Sequence, residues 1–102
     1  MPGISATITR RADRIYVRMP VNIVVESQGA PVSHVATTVD FSVCGARVQT
    51  DAALVQGEQV QFILSGRKHP PLPSRVVWAK QPRPHQLQEA GLEFLRPLQL
   101  SS

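Results

Sequence analysis

The sequence predicts an all-β domain of about six short strands. Three observations lead there. Short segments of alternating apolar and polar residues, rich in valine, recur at intervals of roughly 8–15 residues. Clusters of Gly, Pro and Ser separate them. No stretch of about ten residues carries a helical period. Such spacing suits an antiparallel barrel or a sandwich.

The elements follow in order. Residues 1–9 read as a flexible, polar start, followed by an arginine cluster. The first strand is expected over Val21–Gln28, where Val21, Ile23 and Val25 alternate with Asn22, Val24 and Glu26. Ser27–Pro31 reads as a turn. A second strand is expected over His34–Phe41, with Val35, Thr37 and Val39 on one face. Ser42–Gly45 interrupts the pattern, and Ala46–Thr50 resumes it with Ala46 and Val48 facing alike. Glu58–Leu64 is the clearest amphipathic strand, placing Val60, Phe62 and Leu64 opposite Gln59 and Gln61. Ser65–Pro73 is a loop, Arg75–Ala79 a short buried strand, and Gln81–Gln88 a second loop with two prolines. Ala90–Leu95 closes the fold, with Leu92 and Phe94 on one side.

Composition bounds the function. At 102 residues the chain suits one domain with one modest core. Hydrophobic residues make up 42% of it, as in a globular protein. Cys44 is the single cysteine, so no internal disulfide framework is expected. No signal peptide or membrane-length apolar run is legible, which points to the cytoplasm and to no membrane insertion. The net charge of +4 hints at an anionic partner. Arg10, Arg11, Arg14 and Arg18 lie close together ahead of the first strand, while the other basic residues are scattered. That favours one local anion site over a basic face.

Two constellations could carry chemistry. Arg10-Arg11-Ala12-Asp13-Arg14 is either a solvated basic tail or a phosphate- and base-binding arm. Guanidinium forks bind phosphate oxygens and the guanine O6/N7 edge bidentately and can stack on a base. Asp40-Phe41-Ser42-Val43-Cys44-Gly45 is either a plain β-turn, capped by Asp and Ser, or a ligand contact. In the second case Asp40 accepts from a guanine N1/N2 edge, and Ser42 bonds a phosphate or base. Gly45 supplies a positive φ or room for a close approach. His34, His69 and His85 show no zinc-ligand spacing. Cys44 has no neighbouring histidine and reads as a small buried hydrophobe.

Taken together, the two constellations resemble the signature of the PilZ domain family: RxxxR, a strand-opening Pro-Val, then DxSxxG. Here these are Arg10 to Arg14, Pro20-Val21, and Asp40-x-Ser42-x-x-Gly45. Ser74-Arg75-Val76-Val77-Trp78 looks like the family's penultimate strand, and Ala90-Gly91-Leu92-Glu93-Phe94 like its closing strand. Arg14 to Arg18 also fits RxxxR, but the family's spacing to the strand-opening proline selects Arg10 and Arg14, leaving Arg18 exposed near the first strand.

The resemblance implies a six-stranded antiparallel β-barrel over residues 10–97, with a flexible arginine-rich arm ahead of it and a short tail over 98–102. It implies the bacterial second messenger cyclic di-GMP as ligand, with no other cofactor and no metal. Arg10, Arg11 and Arg14 would engage phosphates and guanine. Asp40, Ser42 and Gly45 would hold the ligand from the barrel side. Trp78 is either near the ligand, as the family's late-strand aromatic can be, or a buried core residue. Thr9 stands where members taking a stacked ligand pair often carry arginine, which leaves one ligand or two open. The expected function is a receptor that signals to a separate, unidentified effector protein through ordering of residues 1–14. The alternative is an interaction module of type IV pilus assembly with weak or no nucleotide binding. A nucleic-acid-binding barrel is disfavoured by the 5% aromatic content. An enzyme is disfavoured because no acid/base or nucleophile set converges.

Overall fold

The computed structural model describes residues 14–27, 29–66, 69–81 and 83–96. Its strands are β1 (Pro20–Ser27), β2 (Ala30–Phe41), β3 (Gly45–Thr50), β4 (Gln59–Leu64), β5 (Leu72–Ala79) and β6 (Gln88–Phe94). They close into an antiparallel barrel in the order β1-β2-β3-β6-β5-β4. Of the barrel and the sandwich that strand spacing allows, the chain forms the barrel, and no helix is present among the described residues.

Period-two alternation sends one side of each strand inward. Val21, Ile23 and Val25 of β1, Val60, Phe62 and Leu64 of β4, and Leu92 and Phe94 of β6 fill the barrel, as their spacing predicts. The Phe62 and Phe94 rings meet at 5.0 Å between centroids, tilted by 46°. Buried hydroxyls find partners, as burial requires. Thr38 Oγ1 donates to the Val17 carbonyl at 2.5 Å and accepts from the Met19 amide at 2.9 Å. The Gln88 amide ties the 51–58 connection to the barrel, accepting from Leu54 N at 2.8 Å and donating to the carbonyls of Leu54 and Lys80.

Three expectations shift. β2 begins at Ala30, not His34, because Ser27 already pairs with Ala30 across a tight turn in which Gly29 takes a φ of 83°. β5 begins at Leu72, with Pro73 near its first residue, where a missing donor is tolerated. Nor is β5 uniformly buried. Leu72, Ser74 and Val76 face in, whereas Arg75, Val77 and Trp78 face out.

The alternation breaks twice, both times by one residue. On β2 the face of Val35, Thr37 and Val39 is the outer one, and Ala36 and Thr38 point inward. Thr38 pairs with Val48, but Asp40 pairs with Arg47 and Phe41 with Ala46, so Val39 is an extra residue. This bulge reverses the pleat. Phe41 then enters the core, and Asp40 joins Arg47 on the outer surface. On β5, Val76 pairs with Leu92 and Trp78 with Gly91, leaving Val77 extra. Without that bulge Trp78 would follow Val76 into the barrel.

Candidate functional site

The strand register places the two bulges at one level of the barrel, with β3 and β6 between them. Asp40 of β2 pairs with Arg47 of β3, Arg47 with Gly91 of β6, and Gly91 with Trp78 of β5. Asp40, Arg47, Gly91 and Trp78 therefore form one lateral row across the outside of four strands. A groove of about 520 Å³ lies over this row. Arg14, Tyr16, Asp40, Arg47, Val77 and Trp78 line it, together with Cys44–Ala46 at the start of β3 and Gly91–Glu93 within β6.

Asp40 is the electrostatic centre. Its side chain is only 4% exposed. A carboxylate in such a place is costly unless charges and hydrogen bonds compensate it. Both oxygens are compensated: Arg14 Nη1 donates to Oδ1, and Arg47 Nη2 forms an ion pair with Oδ2, each at 2.8 Å. Around Asp40 itself two guanidiniums face one carboxylate, a local surplus of positive charge, while Glu93, also on the groove, is paired with Arg75.

Arg14 is delivered by the segment that follows it. Ile15 and Phe41 exchange backbone hydrogen bonds of 2.8 and 3.0 Å, and Thr38 N donates to the Met19 carbonyl. The chain thus runs beside the end of β2 and sets Arg14 next to Asp40. Arg18 goes elsewhere, donating to Gln49 Oε1 at an exposed position. Arg14, not Arg18, is the arginine that meets Asp40.

Between β2 and β3 the chain reverses in a tight turn. Ser42 N donates to the Gly45 carbonyl at 2.8 Å, and Ser42 Oγ accepts from Cys44 N at 3.1 Å. Ser42 is buried and serves the turn; it is not among the residues lining the groove. Gly45 is required for close approach, not for a positive φ. A Cβ there would lie 2.2 Å from the Leu92 carbonyl oxygen. Cys44 is half-buried and lines the groove, so it is not the core residue expected of it.

Trp78 resolves in favour of the groove: it stands outside the barrel and is 37% exposed. Its indole occupies the space a side chain at Gly91 would need, because a Cβ on Gly91 would be 2.2 Å from Trp78 Nε1. Gly91 lets the ring fold over β6 toward Arg47. Gly91→Ala should therefore push the indole outward and expose it. Trp78 is the single tryptophan, so the variant's emission should shift to the red with the fold retained. An unchanged spectrum would mean that the ring does not depend on this gap.

Of the residues singled out from sequence, Arg14, Asp40, Gly45 and Trp78 converge on the groove. Arg10 and Arg11 lie outside the described residues. Tyr16, Arg47 and Gly91 were not foreseen as site residues. A signal for Arg47 was present: Ala46 and Val48 face alike, so the arginine between them must point outward, two residues beyond the motif glycine. Among the described residues no cluster of potential metal ligands occurs, and no helix is long and apolar enough to cross a membrane.

The described residues thus form a closed six-stranded barrel with an arginine from the preceding segment docked on an aspartate of its outer face. The PilZ domain family model matches residues 8–102, and the chain belongs to that family, whose domains in general bind cyclic di-GMP. No curated protein matches the chain by sequence.

Proposed function

We propose that the protein is a cyclic di-GMP receptor, not an enzyme, acting in the bacterial cytoplasm. The observation that carries this reading is Asp40. A nearly buried carboxylate, held at both oxygens by arginines at the floor of the groove, is a costly arrangement for stability alone. It suits a ligand that carries both negative charge and hydrogen-bond donors, as a guanine nucleotide does. Arg10, Arg11 and Arg14 take the phosphates and the guanine O6/N7 edge. Asp40 accepts from the N1/N2 edge, the Ser42–Gly45 turn supports it, and Trp78 offers a ring for a base to lie on.

Signalling then runs through the residues ahead of Arg14. Their clustered positive charge is neutralised by the ligand's phosphates, so the segment gains order over the groove and presents a new surface to a separate effector protein. Arg14 is already tethered to Asp40, so this ordering concerns residues 1–13 and not 1–14 as the sequence suggested.

Calorimetric titration tests the reading. Cyclic di-GMP should give saturable heat, with GTP and a single-stranded oligonucleotide binding much more weakly. No heat at saturating cyclic di-GMP overturns it. In the same samples, backbone order parameters for residues 5–13 should rise on binding; values already rigid without ligand would overturn the signalling step.

A further inference from the structure

We infer that Arg47 is a positioning residue for guanine recognition: it fixes the Asp40 carboxylate so that a guanine edge can replace Arg14 on it. The inference rests on the cyclic di-GMP reading above. Asp40 has two cationic partners, and they are held in unlike ways. Arg14 is half exposed and reaches Asp40 from an irregular segment. Arg47 projects from the middle of β3, paired with Asp40 on one side and Gly91 on the other. Its stem lies across from the space where the Trp78 indole replaces a Gly91 side chain. An ion pair that is half in water is weak and exchanges readily. Arg47 is less exposed, at 38% of its side chain, and its backbone is fixed by strand pairing on both sides, so its fork loses less freedom when the pair forms.

A guanine offers N1–H and N2–H to a carboxylate, and Arg14 covers one of the oxygens it needs. Ligand entry therefore exchanges Arg14 from Asp40 to a ligand phosphate. At that moment Arg47 alone keeps the carboxylate aimed and its charge compensated. A second observation points the same way. Arg47 Nε is shielded from solvent and has no hydrogen-bond partner among the described residues. A buried donor left unmet is a cost that an arginine placed for stability alone would avoid. The fork is held by its Nη2 contact to Asp40, as a positioning role requires.

Affinities for cyclic di-GMP and for cyclic di-IMP, which lacks only the exocyclic amine, test this in wild type, Arg47→Gln and Arg47→Lys. Wild type should favour the guanine ligand about tenfold or more, the value of a hydrogen bond to a charged group. Arg47→Gln should bring the ratio toward one, and Arg47→Lys should restore part of it. A purely structural role would weaken both ligands alike and leave the ratio standing, and that result overturns the inference. If the Gln variant melts below the assay temperature, the Lys variant decides, and an unchanged ratio in it is equally fatal. Failure of wild type to bind cyclic di-GMP at all sinks the receptor reading itself, whereas an unchanged ratio with intact wild-type binding sinks only the role of Arg47.

Discussion

Replacing Arg14 with alanine should weaken cyclic di-GMP binding by about tenfold to a hundredfold, and replacing Arg18 should change it by less than about threefold. Loss of a charge-assisted, bidentate contact to phosphate costs on the order of 1–3 kcal/mol, and about 1.4 kcal/mol is tenfold. Arg14 lines the groove and touches Asp40, while Arg18 is exposed and bonded to Gln49. Stability should change little in either variant. Arg14 is half exposed, where an ion pair contributes only fractions of a kcal/mol. Asp40 also keeps Arg47 when Arg14 is gone. Titration calorimetry with a melting curve on each variant separates the two quantities. Equal binding losses for the two substitutions would falsify the assignment of Arg14 to the site.

The largest loss of stability is expected from Gly45→Ala. The added methyl would lie 2.2 Å from the Leu92 carbonyl oxygen and 3.3 Å from its carbon, both backbone atoms. No side chain can swing aside to relieve it, in contrast to Gly91, where the obstacle is the Trp78 ring. β3 and β6 must part where Phe94 N donates to the Cys44 carbonyl at 2.8 Å. Overpacking against fixed backbone costs about 3 kcal/mol or more. For a domain of this size that lowers the midpoint by roughly 12–24 °C. Thermal denaturation followed by circular dichroism measures it; a midpoint within a few degrees of wild type would show that the ladder can yield there. Gly45 thus sits in the motif for a packing reason as well as for its place beside the groove.

Much of the barrel was legible because it depends on alternation. Val21, Ile23, Val25, Val60, Phe62 and Leu64 announce their inward faces by spacing alone. The site was legible in its motif residues and obscure in its neighbours. Asp40 and Arg14 stand 26 positions apart, and only the closure of β2 against the preceding segment brings them within 2.8 Å. Trp78 was ambiguous because a strict alternation carries it inward after Val76, and the extra Val77 that reverses it has no composition of its own. Arg47 was overlooked because it belongs to no motif, and its partner became visible only once β2 and β3 were in register.

The two bulges have a further consequence for how such chains are compared. Asp40 and Trp78 reach the outer surface because one residue has been added before each, at Val39 and at Val77. An ungapped alignment with a strand that lacks the extra residue would superimpose Asp40 or Trp78 on a position facing the core, and identity at that column would then carry the opposite meaning. The quantity that must be matched is the number of residues between each inward anchor and the site: Thr38 to Asp40 on one side, Val76 to Trp78 on the other. By the same token, a single-codon deletion in β2 would turn Asp40 inward and Phe41 out of the core, and one in β5 would turn Trp78 inward, so the groove and the packing beneath it depend on the same two extra residues. For a surface site built on a closed sheet, such length changes in strands are as informative as substitutions.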